Sequence, residues 1–457
     1  MFDFTTFTPW QLFCDAGVIF GLLLIGKLCR AKIKAIQSLF IPPSLIAGVL
    51  ALAFGPNGLG WLPLSNNLGT YSAILIAVVF AALPLASPTL KMKEIGSKLG
   101  PMWAYSQFGM FFQWAAIGLI GILVLTPLFG VAEPFGIMCP VGFYGGHGTA
   151  AAMATEFGPD FPEEAARSLG MTTATVGVVL GVIFGVMIIK IATRRHQTNY
   201  VTDFAELPNE LRSGLIPEEK REGLGQATVS SISIDHYAMH LGIVIFAAYC
   251  GYLLSDVLLK GTLKVSGVPV FLTAYVVGMI FKVLLDATKA SRFVEQRTIS
   301  SISGTSTDLL VTCGVGAINL KVVTDNWLPL VVLLVIGILV TVFMCFYFAR
   351  KLYRQDWFEK AIFAWGWWTG TMAIGIALLR IVDPKNESHA LDNYAMAFLP
   401  CAPIEILLIW SVPVAYKGGW LLWLCVGYLV LSLLILLLAK LLGWWIPSSE
   451  LKASKKA

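Results

Sequence analysis

Val131-Ala-Glu-Pro-Phe-Gly-Ile-Met-Cys-Pro-Val-Gly-Phe-Tyr-Gly145-Gly146-His147-Gly148-Thr149-Ala-Ala-Ala-Met-Ala-Thr-Glu156 is apolar enough to enter a membrane, yet glycine breaks it too often for one continuous helix. A second stretch, residues 360–382, has the same character around Gly366-Trp367-Trp368-Thr369-Gly370-Thr371. If each enters and leaves on the same side, every later segment keeps its direction. If each crosses, every segment between the two flips.

Outside these two stretches, apolar windows of ~20 residues, the length that spans a bilayer core, fill most of the chain. They lie near 11–29, 40–56, 70–88, 101–128 and 168–192, then near 236–258, 267–285, 304–321, 326–349 and 391–416, with a last one at 419–442. Of the 457 residues, 57% are hydrophobic and 13% charged, against about 25% charged in a soluble domain. A soluble fold could not bury so much apolar surface, whereas a bundle facing lipid need not. The first apolar window has no basic segment before it and Lys27 and Arg30 after it, so it reads as an anchor rather than a cleaved signal.

The eight cysteines are scattered singly, which implies neither a disulfide framework nor a zinc site. A net charge of +5 without a basic, aromatic-interleaved patch suits a membrane surface and gives no reason to expect nucleic acid. With no HExxH, GxSxG or phosphate-binding loop and no continuous charged pore lining, an enzyme or a channel is the weaker reading, and no cofactor is expected.

Reading both broken stretches as re-entrant hairpins sorts the basic residues. All but five of the 32 Lys and Arg then fall on one side, the exceptions being Arg167, Lys260, Lys264, Lys321 and Lys417. The positive-inside rule makes that side cytoplasmic, with the N-terminus outside and the C-terminus inside. Full crossings would send the basic loops 190–221, 282–297 and 350–354 outward and cancel the bias.

The second half echoes the first. Ile41-Pro42, Leu45, Ala47, Val49 and Phe54 reappear as Val268-Pro269, Leu272, Ala274, Val276 and Phe281; Leu90-Lys91 matches Leu320-Lys321; Gly148-Thr149-x-Ala151 matches Gly370-Thr371-x-Ala373. Five spans precede the second copy, so it enters from the opposite face. The expected fold is an all-α polytopic membrane protein of two inverted five-helix repeats, each with a re-entrant hairpin, plus one extra C-terminal span. Its segments are residues 1–192, a cytoplasmic linker 193–235, residues 236–416, and a tail 417–457. Inverted repeats with broken helices at the midplane characterise secondary transporters.

The glycines permit the chain to reverse inside the bilayer. Thr149 is expected to open a half-helix whose free N–H groups suit a carboxylate, while its hydroxyl and nearby carbonyls suit a small cation. Close helix packing explains such small residues as well. His147 can bond substrate, relay a proton or cap a backbone group. The second tip offers Thr369, Gly370 and Thr371, and its tryptophans serve either as interface anchors or as a pocket wall.

Ionisable groups inside spans are costly and usually functional. Asp308 stands at the start of a predicted span, as a sodium or ammonium ligand or as an ordinary first-turn acid. Glu405 lies well inside an apolar span, with Arg380 as a candidate partner for it or for a substrate carboxylate. Asp15 and Asp256 are expected near the outer surface, solvated.

The chain resembles the bacterial sodium/glutamate symporter family. The likeness is carried by Gly145-Gly-His-Gly-Thr149-Ala-Ala, Thr175-Val-Gly-Val-Val-Leu-Gly181, Ile41-Pro-Pro-Ser-Leu-Ile-Ala-Gly48, and Ala397-Phe-Leu-Pro400 ahead of Glu405. It implies a homodimeric inverted-repeat carrier of the bacterial inner membrane, importing glutamate or a related small carboxylate with sodium. Sodium ligands are then expected among Thr149, Thr371 and Asp308. Trp367 and Trp368 depart from the small residues usual at the family's second tip, and the span at 419–442 has no counterpart in better-known members. A proton-coupled carrier of another solute, working through His147, Glu405 or Asp308, is the alternative.

Overall fold

In hydrocarbon no water satisfies a backbone N–H or C=O, so a segment crossing it must close its own hydrogen bonds. The computed structural model follows that demand. It describes residues 8–38, 41–86, 100–200, 213–221, 223, 225–263, 268–383 and 387–446, and every regular element among them is helical. The long helices are α1 (Pro9–Lys32), α2 (Pro43–Phe54), α3 (Leu68–Ala86) and α4 (Gly100–Phe129). Two short helices follow, α5 (Met138–Phe143) and α6 (Gly146–Ala154), and then α7 (Glu163–Arg194). The second half runs through α8 (His236–Thr262), α9 (Val270–Ala287), α10 (Gln296–Gly316) and α11 (Trp327–Leu352). It ends with the shorter α12 (Trp357–Trp368) and α13 (Met372–Val382), then α14 (Ala390–Lys417) and α15 (Leu421–Leu441).

Eight of these, α1, α3, α4, α7, α8, α9, α11 and α15, are long and apolar enough to cross a membrane, making this a multi-span membrane protein. Among the described residues, all eleven expected windows fall on helices. The largest difference in bounds is at α10, which starts at Gln296 rather than near residue 304. Its first two turns are rich in Ser and Thr, so an apolar window misses them. Several hydroxyls bond back along the helix, Thr305 to the Ser301 carbonyl, Thr307 to that of Ser303 and Thr312 to that of Asp308. Asp308 is therefore a mid-helix residue and not the cap of a helix start; Glu295 is the N-cap.

The centre of the bundle is α3 packed against α10. The flanks repeat one scheme: α1 lies on α2 and α2 on α10, while α8 lies on α9 and α9 on α3. Small residues let these backbones touch. A Cβ on Gly48 of α2 would stand 2.7 Å from Val315 Cβ of α10, and one on Gly278 of α9 would stand 2.5 Å from the Ala81 carbonyl of α3. The last helix, α15, packs along α4, with Phe111 and Tyr428 rings 5.5 Å apart. Of the repeat matches, Leu90-Lys91 lies outside the described residues.

Asp15 departs from the expectation of a solvated surface acid. It is fully buried, accepting hydrogen bonds from the Ser65 amide (2.9 Å), the Ser65 hydroxyl (2.5 Å) and the Tyr71 hydroxyl (2.8 Å). A carboxylate on α1 thereby ties down the loop between α2 and α3, and the sequence window gave no sign of it because all three donors lie at least fifty residues away. Asp256 is partly exposed and pairs with Lys260 at 2.8 Å.

Candidate functional site: two broken helices meeting at a cavity

At 1.5 Å per residue, the six and nine residues of α5 and α6 reach only ~9 and ~14 Å, and those of α12 and α13 ~18 and ~17 Å, against a ~30 Å hydrocarbon core. Each pair folds back on itself, and α7 serves as the ruler that shows it. Met138 accepts a 2.6 Å bond from Thr173, a Cβ on Gly177 would stand 2.8 Å from the Phe143 ring, His147 Nε2 lies 3.1 Å from the Thr175 hydroxyl, and Gly170 faces Ala150. The chain climbs α7 and then descends it.

The second pair does the same from the opposite end. Trp365 Nε1 donates to the Gly181 carbonyl at 2.8 Å, Gly370 packs on Val178, and Leu378 packs on Gly185. Within this pair the two arms cross where Gly366 meets Gly375. Both tips arrive at Gly177, where a Cβ would stand 2.3 Å from the Thr369 carbonyl as well as against Phe143. The breaks also face each other directly: Gly146, at φ +65°, presents its α-carbon to the Gly370 carbonyl, 2.8 Å from where a Cβ would stand. A left-handed residue that close to another backbone has to be glycine.

The first break falls at Gly145-Gly146, so α6 opens at Gly146 and Thr149 is its fourth residue rather than its first. In the other hairpin Gly370-Thr371 precede the helix. The sequence match between Gly148-Thr149 and Gly370-Thr371 therefore does not align the two breaks. Glycines tolerated at several neighbouring positions hide which one carries the turn.

Beside the meeting tips lies a cavity of about 270 Å³. The first break supplies Tyr144, Gly145, Gly146, His147, Gly148 and Thr149; the second supplies Trp367, Gly370, Thr371 and Met372. Helix α3 contributes Ile76, Val79, Phe80 and Leu83, α10 contributes Thr307, Leu310 and Val311, and α14 contributes Tyr394, Glu405, Ile406 and Ile409. Eight of the ten residues expected at the site thus share one space.

The other two do not line it. Thr369 is buried against α7, its hydroxyl donating to the Trp365 carbonyl at 2.7 Å and filling the notch at Gly181. Asp308 points to Ser44 at the start of α2, while its neighbour Thr307 faces the cavity. The helical period turns consecutive residues ~100° apart, so an acid one position away misses the site. Arg380 also stands apart, exposed in the last turn of α13.

The tryptophans divide. Trp367 is a cavity wall, its ring 5.3 Å from Tyr144 and 4.6 Å from Tyr394. Trp368 is fully buried on α4, filling the hollow at Gly109, 4.8 Å from Tyr105, with Gln113 Nε2 donating to its carbonyl at 3.0 Å. Both are buried inside the bundle. Sequence reasoning missed Tyr144, Tyr394 and Thr307, since nothing in an apolar helix marks one aromatic or hydroxyl residue as facing a cavity.

Chemically, the described residues of the lining hold one carboxylate, one imidazole, two threonine hydroxyls from the tips, and neither Lys nor Arg. No side chain caps the start of α6, whose first N–H groups form a partial positive end. The start of α13 is capped by the Thr371 hydroxyl, which accepts from the Ile374 amide.

Residues 14–376 match the sodium/glutamate symporter family. The sodium/glutamate symporter of Escherichia coli (strain K12) is 24% identical over 389 residues, covering 82% of this chain and 89% of that protein. The sodium/glutamate symporter of Haemophilus influenzae (strain ATCC 51907 / DSM 11121 / KW20 / Rd) is 22% identical over 346 residues, covering 75% of this chain and 79% of that one. With most of its length matched, and its helix breaks and cavity within or beside the matched residues, the chain belongs to the sodium/glutamate symporter family.

Proposed function

We propose that this protein is a secondary active transporter that carries glutamate or a related small carboxylate into the cell together with sodium. The observation that carries the reading is the meeting of two broken helices, arriving from opposite ends of α7, beside a cavity that holds Glu405. Halves 1–192 and 236–416 form inverted repeats about that point, joined by a cytoplasmic linker at 193–235, with 417–457 an added span and tail. The exchange of partners between α2–α10 and α9–α3 supports this symmetry. The hairpins are re-entrant, the N-terminus lies outside and the C-terminus inside a bacterial inner membrane, and the working unit is a homodimer.

In this reading the uncapped start of α6 receives a substrate carboxylate through the N–H groups around Gly146, His147 and Gly148. Sodium takes oxygens from Thr149, Thr371 and the carbonyls freed at the breaks, and its charge offsets the cost of burying an anion. Alternating access moves the two hairpins with α7 against the α3–α10 core. The test is uptake in proteoliposomes holding the purified protein. Glutamate accumulation that follows an inward sodium gradient is expected; accumulation indifferent to sodium removes the coupling. His147 and Glu405 both line the cavity, which favours proton coupling as the second reading, and uptake driven by a pH gradient without sodium would establish it.

A further inference from the structure

The cavity has an internal imbalance of charge. Glu405 projects into it from α14, and among the described residues no Lys or Arg lines it and no hydrogen bond or ion pair satisfies the Glu405 carboxylate. An isolated carboxylate at membrane depth is costly unless a positive group meets it. The walls next to it are aromatic. Trp367 and Tyr394 stand 4.6 Å apart at 71°, forming a corner, and Tyr144 closes on Trp367 at 5.3 Å and 45°. Tyr144 and Tyr394 line the same cavity as Glu405.

We infer that Glu405, Trp367, Tyr394 and Tyr144 form a seat for an ammonium group of the transported solute. A carboxylate sharing a cavity with a corner of aromatic rings matches an organic cation, which gains from both the charge and the ring faces. A bare metal ion prefers a shell of oxygens, and among the described residues this corner offers only the carboxylate and two phenols, whereas the helix breaks across the cavity are rich in carbonyls. The solute is thereby held at two ends, an anionic group at the start of α6 and a cationic group at Glu405. The aromatic corner depends on Trp367 at the second tip, where a small residue would leave the cage open. Selection for the amino group follows: a dicarboxylate of the same length without it meets an uncompensated Glu405 and is repelled.

This inference rests on the cavity being the substrate site, and calorimetric binding to the full chain in detergent, at fixed sodium, separates the two. L-glutamate, glutarate and tetramethylammonium are the probes. Wild type is expected to bind L-glutamate at least tenfold tighter than glutarate, a comparison that needs no variant. Glu405→Gln should weaken L-glutamate at least tenfold while leaving glutarate unchanged or tighter, and should abolish tetramethylammonium binding. Trp367→Leu should weaken L-glutamate several-fold, with Trp367→Phe recovering most of the loss. Equal binding of glutamate and glutarate by wild type overturns the inference, as does a Glu405→Gln effect that is the same for both. If glutamate fails to bind but tetramethylammonium binds in a Glu405-dependent way, the seat stands and the glutamate reading falls. If sodium-driven glutamate uptake survives Glu405→Gln intact, the seat falls and the glutamate reading stands.

Discussion

Gly177→Ala is the sharpest probe of the architecture because two effects of opposite sign compete at one atom. In a helix interior alanine is favoured over glycine by about 1 kcal/mol, so an unopposed substitution stabilises. At Gly177 the new methyl would stand 2.3 Å from the Thr369 carbonyl and 2.8 Å from the Phe143 ring. The first contact is with backbone, and no rotamer change relieves it. Overpacking of this kind costs about 1–3 kcal/mol, and a backbone obstacle places the cost at the upper end, for a net loss of about 2 kcal/mol once the propensity gain is subtracted. Gly427→Ala in α15 is the control, since a Cβ there meets nothing within 4 Å and gains propensity alone. Gly181→Ala lies between, because its nearest obstacle is the Thr369 hydroxyl, a group able to rotate. Thermal unfolding in detergent should rank Gly427→Ala above wild type and Gly177→Ala below it. Initial uptake rates should fall at least tenfold for Gly177→Ala, which displaces both hairpin tips, and stay near wild type for Gly427→Ala. If Gly177→Ala stabilises as Gly427→Ala does and transports normally, the tips do not meet at Gly177.

Three further outcomes follow from buried polar groups and packing. Asp15→Ala strands the Ser65 amide and two hydroxyls and should cost about 2–4 kcal/mol, read by chemical or thermal unfolding, with Asp15→Asn losing less because one acceptor remains. Trp368→Ala empties the hollow at Gly109 and should cost about 3–5 kcal/mol, whereas Trp367→Leu should change substrate affinity with a smaller change in unfolding temperature. His240 is buried with its Nδ1 against the His236 carbonyl (2.7 Å) and its Nε2 accepting from the Glu295 amide (2.8 Å). His240→Phe should therefore speed hydrogen exchange at the start of α10, while exchange at the far end of that helix stays unchanged.

Much of this was legible beforehand because the bilayer imposes a coarse rule. A segment must be apolar and about twenty residues long to cross, and all eleven windows chosen on that basis became helices. The rule fails where a helix hides its polar groups in the bundle, as the Ser- and Thr-rich start of α10 does. It also ranks an acid by its depth in a window, which singled out Glu405, a residue the structure places on the cavity wall. The same ranking misread Asp15, whose donors come from a loop and helix that only folding brings near.

What the sequence by itself determined is the membrane, the helices, and the two places where they break, since hydropathy and glycine act on the local chain. Tertiary structure alone decided which residues the breaks bring together. Gly146 must be glycine because the Gly370 carbonyl occupies the space where its side chain would lie, a residue 224 positions away. Whether Thr307 or Asp308 reaches the cavity turns on one step of helical phase, and whether Trp367 or Trp368 walls it turns on which side of the hairpin α4 covers. Phase and neighbour are properties of packing, and no window along an apolar helix contains them.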